Sequence, residues 1–404
     1  MMEIWGIELL YALGRMFLNP LLYWAILLLI IAGARRVKRE RINFGVKVYE
    51  SFSEISGTLL FSLLFSFIIS IVSVLSGFVL SIEILIVLAI VSILLSINGS
   101  FQSLSAAYTL GFTFIIFMLL PLLPNDLLEP YFLTDRLMNI QYVTIAVLLS
   151  LFLYVESLLI LLAKNKQIYP ALSLSDRGVW IGEHQLKRMA LIPFLVFIPA
   201  GNGTDIAPIL PYFQIGNESF YLAFVPFILG TQFTARTEYM FKLKRKIAKQ
   251  KLVLSLFVFI FAVLSYYYFI FALVAIIIAI LGNEWITFRN RTKNIHGKAV
   301  LAPTDEGVKI IGTIPGSKAD ELEILPGEVI TKVNDKKVSN SDEFYKALQQ
   351  SGAFFKLDVV DKNGEVRFIK SAFYAEDYHD LGLLFPEAPY HEKQKERIEQ
   401  LKAL

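Results

Sequence analysis

Four histidines and no cysteine limit the chemistry that this chain of 404 residues can carry. A zinc protease needs two histidines one helical turn apart with a glutamate between them, so that both face one metal. His184, His296, His379 and His391 never approach that spacing, and Glu183-His184 is followed by no second ligand at the required distance. A trypsin-like site needs a Gly-x-Ser-Gly nucleophile loop and a triad. Ser76-Gly77 and Gly316-Ser317 lack that context. There is no Gly-rich phosphate loop and no dinucleotide fingerprint, and without cysteine there is neither a disulfide framework nor a thiolate metal site. The sequence predicts no catalytic residues, no metal and no cofactor.

Two other features carry chemistry of a different kind. Glu156 lies inside an apolar run, LFLYVESLLILLA. Charge at membrane depth is expensive and by default marks a transport or proton site. Because Lys164 follows about two turns later, pairing or snorkelling near the membrane surface is the favoured reading. The second feature is HDLGLLF, His379–Phe385. A hydrophobic-Gly-hydrophobic loop leading into a strand offers backbone groups to an extended peptide, and glycine lets the ligand backbone come close. Asp380, just before the loop, opposes a free C-terminal carboxylate, so internal peptide segments or a folded surface are the expected ligands.

The elements that would position this loop are legible from their turns. Lys298–Ala302 and Gly307–Ile314 read as strands, Ser317–Leu325 as a helical turn after Pro315-Gly316, and Glu328–Val333 as a strand closed by Asn334-Asp335. Ser341 is placed to cap a helix over Asp342–Gln350, and 354–361 and 365–372 read as a hairpin around Asp-Lys-Asn-Gly. This succession resembles a PDZ domain of the circularly permuted, bacterial type. In that reading Leu381, Gly382, Leu383, Leu384 and Phe385 form one groove wall, and Phe344, Ala347 and Leu348 lie on the facing helix.

What precedes is a membrane domain. Hydrophobic residues make up 55% of the chain and charged residues 18%, below the roughly 25% charged of soluble proteins. Apolar runs long enough to span about 30 Å of hydrocarbon are expected near 17–34, 58–76, 82–98, 107–124, 140–163, 189–208 and 217–234. A paired run over 252–281 turns near Ser265-Tyr266-Tyr267-Tyr268, and residues 3–18 form an interfacial or half-spanning helix. This predicts eight or nine crossings. The connectors 35–57, 164–188, 235–251 and 283–300 hold 22 Lys/Arg and 7 Asp/Glu, while 77–83, 125–139 and 201–218 hold one and six. Short basic loops stay cytoplasmic, which puts the C-terminal module inside the cell. The basic excess flanks spans and is no nucleic-acid footprint, and the runs 35–41 and 241–251 are also suited to anionic membrane lipid. No removable signal peptide is expected.

The fold class read from the sequence is thus an α-helical polytopic membrane domain (1–288), a short linker (289–295), a small β-rich permuted PDZ domain (296–386) and a charged tail (387–404). Trp-Gly-Ile-Glu-Leu-Leu near the N-terminus, the span ending in Arg-Arg-Val-Lys-Arg-Glu-Arg, HGKAVLAPTDEGV over His296–Val308, and HDLGLLF are together similar to the MinJ family. These are cell-division topological determinants of low-GC Gram-positive bacteria. The resemblance implies a scaffold linking DivIVA to MinD of the MinCD inhibitor at poles and septa. The rival readings from the residues are a transporter or channel with a regulatory PDZ domain, which Glu156 would serve, and a membrane adaptor for a protease. Whether the chain forms a homo-oligomer is left open.

Overall fold

Apolar residues that must leave water, on a chain whose backbone must stay hydrogen-bonded, fold here mostly as helices. A computed structural model describes residues 2–120, 135–164, 167–199, 213–215, 218–352, 354–372, 381–392 and 394. Its N-terminal part begins with α1 (Met2–Met16), α2 (Pro20–Phe44), the single turn α3 (Ser53–Ser56), α4 (Leu59–Ser76), α5 (Ile82–Ser96), α6 (Ala106–Leu119) and α7 (Asp135–Leu161). It ends with α8 (Met240–Leu264) and α9 (Ile270–His296). Among the described residues five helices, α2, α4, α7, α8 and α9, are long and apolar enough to cross a membrane, and α5 and α6 are shorter apolar helices. The protein is a multi-pass membrane protein.

Local signals account for the boundaries. Asn19 caps α2 by accepting the Leu21 N–H at 3.0 Å, with Pro20 in the first turn, where its missing N–H costs nothing. The run 252–281 is a helical hairpin turning at Ser265–Tyr268, as its basic ends require. The expected linker 289–295 is instead the continuation of α9, which runs to His296. Its Asn290 and Asn294 spend their side chains on neighbouring elements, so this stretch packs rather than tethers.

The spans expected at 189–208 and 217–234 are not helices. Their described residues form β2 (Trp180–Pro199) and β4 (Glu218–Ala235), which pair antiparallel from His184↔Ala235 to Pro199↔Phe220. With β1 (Ile168–Leu174) and β3 (Phe213–Ile215) they make a sheet in the order β1-β2-β4-β3. The expectation failed because a continuous apolar run has no period that separates a buried strand from a buried helix. The composition does separate them. Pro193, Pro199 and Pro226 interrupt the two runs, and a proline inside a helix costs about 3 kcal/mol. In the hairpin Pro193 faces Pro226, at positions whose N–H would point away from the partner strand. Both faces are covered: Phe194 and Phe227 pack on Phe152 of α7, and Leu195, Phe197 and Leu222 pack with Ala12 of α1 and Val79.

Several outward-facing edge groups of the hairpin are met by side chains or by neighbouring backbone, as backbone in a low-dielectric setting demands. On β2, Leu195 N–H donates to Ser70 Oγ at 3.1 Å, and Thr58 Oγ1 donates to Met189 C=O at 2.9 Å. Phe197 exchanges hydrogen bonds with Phe78 and Leu80. On β4, Leu222 N–H donates to Glu8 Oε1 at 3.0 Å, and Leu222 C=O accepts from Arg15. Glu8 and Arg15 also pair with each other. Helix α1 is therefore the cover of a strand edge.

The C-terminal part is rich in strand. β5 (Val308–Lys309), β7 (Val329–Val333), β8 (Lys336–Lys337), β9 (Phe354–Val360) and β10 (Val366–Ala372) form one sheet, and β6 (Gly312–Thr313) pairs with β11 (Leu383–Leu384). Two helices join them, the turn α10 (Lys318–Glu321) and α11 (Ser341–Gln349). Asn340 rather than Ser341 caps α11, accepting the Glu343 N–H at 2.8 Å. Residues 298–302 form no strand, although Leu301 makes an isolated bridge to Gly182.

Candidate functional site

The loop singled out in the sequence comes to lie between the C-terminal β domain and the membrane part. Gly382 C=O accepts from Ile314 N–H and Leu384 C=O from Ile311 N–H, which zips β11 onto β6. By alternation Leu383 turns its own N–H and C=O away from β6. Among the described residues β11 pairs only with β6, so that second edge has no strand partner. Leu381, Leu383 and Phe385 point into the domain core, where Phe344 and Leu348 of α11 are fully buried and Ala347 is partly buried. Phe385 meets Phe344 and Tyr345 at ring distances of 5.7 and 6.1 Å. Past the strand, Glu387 bonds the N–H of Ser341 at 3.1 Å, tying the chain to the start of α11. His379 and Asp380 lie outside the described residues.

Two of the expected roles change. Leu384 is no groove wall: its side chain is buried with Ile311, Leu301 and Val48 in a small apolar cluster that joins the two parts of the molecule. Gly382 is needed by the chain's own packing. Its φ is +74°, and a Cβ there would sit 2.4 Å from Ser317 Cβ. Ligand approach is therefore not the only demand for glycine at this position.

The floor under this cluster is built by charges that look, in sequence, like a solvated basic run. Arg36 is buried and donates to Glu40 Oε1 at 2.6 Å and Glu54 Oε1 at 2.8 Å. The other oxygen of Glu40 accepts the N–H groups of Val48 and Tyr49. That fixes the turn which presents Val48 to Leu384. Beside it, His184 Nε2 lies 2.7 Å from Ile311 C=O, and Gly182 N–H donates to Leu301 C=O at 2.9 Å. Tyr239 completes the contact: a Cβ at Gly327 would lie 2.6 Å from its ring, and Lys362 Nζ sits 4.3 Å from the ring centre. Burial pushes the His184 imidazole below its ordinary pKa, the Ile311 carbonyl partly offsets this, and the Lys362 cation adds to it. Every one of these membrane-part contacts comes from a connector of the basic set.

Glu156 does not pair with Lys164. It is fully buried and bonds Lys251 of α8, Ser105 Oγ at 2.7 Å and Ala106 N–H at 3.3 Å. One carboxylate thus holds three helices and meets the positive end of α6.

No family model matches the chain. It is 29% identical over 383 residues, 94% of its length and 96% of the relative's, to the cell division topological determinant MinJ of Bacillus subtilis. A probable MinJ of Lacticaseibacillus paracasei is 35% identical over 96 residues, 24% of this chain and 26% of that one. A probable periplasmic serine endoprotease, DegP-like, from Chlamydia pneumoniae is 34% identical over 84 residues, 21% of this chain and 17% of that protein. Over nearly its whole length the chain is thus similar to a MinJ protein.

Proposed function

We propose that the chain is a non-enzymatic membrane scaffold that recruits division-site proteins through a cytoplasmic PDZ domain formed by its C-terminal β domain. The similarity to MinJ over nearly the whole length carries the reading, since that relative's name is of a cell-division topological determinant. On this reading the partners are DivIVA-like and MinD-like proteins, bridged at poles and septa. The β domain packs against the connectors rich in Lys and Arg, which favours a cytoplasmic position. The second edge of β11 at Leu383, which has no strand partner among the described residues, suits strand addition. The backbone of Leu381, Gly382, Leu383 and Phe385 forms one side of it while their side chains sit in the core, and Ala347, with the buried Phe344 and Leu348, supports it from the other. The Glu156–Lys251 pair, fully used in holding helices, argues for a structural role over transport.

Because Gly382 has a packing role, its replacement cannot separate binding from folding. Ala347→Trp and Tyr345→Ala alter the helix side of the groove and leave the buried Phe344 and Leu348 in place. The expected result is loss of co-purifying MinD-like or DivIVA-like partner, with membrane abundance unchanged. Normal recruitment by both variants would place the partner surface elsewhere.

A further inference from the structure

We propose that a groove along the cytoplasmic end of α2 binds an anionic phospholipid, its acyl chain on the apolar half and its phosphate on Lys38 and Arg41. The groove holds about 550 Å³, within the range of about 300–1,000 Å³ typical of ligand sites. Ile30, Ala34 and Val37 line one half, Lys38 and Arg41 the other, and Phe52 stands opposite. Positions 30, 34, 37, 38 and 41 make one stripe on a helix, and all but the half-buried Val37 are exposed. The rise over this stripe is about 16–17 Å, enough to cross a headgroup layer of about 5–8 Å and reach into hydrocarbon. Its depth is set by the turn before α3. A Cβ at Gly33 would lie 2.2 Å from the Ser51 carbonyl oxygen, and Arg36 donates to Glu50 C=O. This holds the exposed ring of Phe52 level with the end of the apolar segment of α2, residues 20–34. The apolar half of the groove therefore faces lipid tails, and the basic half lies just beyond them.

The charges choose the headgroup. Every other cation of the run 35–41 has a bonded partner: Arg35 donates to Asn98 C=O at 2.8 Å, Arg36 to Glu40 and Glu54, and Arg39 to Gln185 Oε1 at 3.1 Å. Glu40, the one carboxylate of the run, is buried on Arg36 and on the N–H groups of Val48 and Tyr49. Lys38 and Arg41 are exposed, and their side chains have no partner among the described residues. Nor does a carboxylate line the groove among those residues. Long side chains on a helix lean towards its N-terminus, here towards the membrane, so both cations reach back to headgroup level. Two cations without a counter-charge at that level select a lipid with net negative charge, and a guanidinium suits phosphate geometry.

The test uses the full chain in nanodiscs of phosphatidylcholine with a minor share of photoreactive phosphatidylglycerol, and maps the labelled residues by mass spectrometry. Label is expected within residues 30–52, and much less of it from photoreactive phosphatidylcholine. Lys38→Gln and Arg41→Gln should each lower it about fivefold. Ala34→Trp fills the apolar half from an exposed position and should lower it with membrane abundance unchanged. Lys249→Gln, an exposed charge outside the groove, should leave it as it is. Equal labelling by the two lipids, or an equal loss in Lys249→Gln, would mean that the basic surface attracts lipid diffusely, and overturns the proposal. An unlabelled groove overturns it as well, and leaves the space to another occupant such as the chain's own tail.

Discussion

At the scale of single residues, the charges that matter are those with no room for water. Glu156 was visible in the sequence because a carboxylate in an apolar run stands out, yet its partner was not. Lys164 is near in sequence, whereas Lys251 is 95 positions away and becomes a neighbour only when α8 packs on α7. Arg36 was hidden for the converse reason: one buried arginine in Arg-Arg-Val-Lys-Arg-Glu-Arg looks like its solvated neighbours until Glu54 comes alongside. Breaking a buried pair by removing one partner costs about 3–5 kcal/mol. Glu156→Gln is therefore expected to lower the thermal midpoint strongly by stranding Lys251, and adding Lys251→Met should restore most of it. A Glu156→Gln protein of normal stability that has lost a transport activity would return the rival reading to favour.

At the scale of elements, the helices and the strands of the C-terminal domain were legible because each has its own period and punctuation. The hairpin of β2 and β4 was not, since it is apolar on both faces and as long as a span. The prolines at 193, 199 and 226 were the available warning. The hairpin also explains α1, whose Glu8 and Arg15 are an odd choice for a helix among lipids but a sound one beside an open strand edge. Glu8→Ala removes the acceptor for Leu222 N–H and leaves Arg15 without its carboxylate. Amide hydrogen exchange at Leu222 should quicken, while the amides at the His184↔Ala235 end of the hairpin stay protected. Uniform loss of protection along both strands would mean that α1 supports the whole membrane part rather than one edge.

At the scale of the molecule, the β domain is docked, and nothing in the sequence foretold the dock. Its apolar members, Val48, Leu301, Ile311 and Leu384, come from segments far apart in the chain, each too short to carry a pattern. His184 gives the dock a pH dependence whose sign follows from its surroundings. The docked imidazole has a pKa below the ordinary 6.5 because of burial first, with Lys362 opposing its charge, so the docked state holds it neutral. Released, it regains the ordinary value and takes up a proton below it. Docking is therefore at full strength above pH 6.5 and weakens as pH falls from there towards the depressed docked value. Hydrogen exchange at Gly182, whose N–H is held by Leu301, should report release of the β domain as the medium is acidified. His184→Gln keeps a donor within reach of Ile311 and has no proton to gain, so its exchange should be flat over the same range. If the two proteins respond alike, another group governs the contact, and His184 serves only as a hydrogen-bond donor.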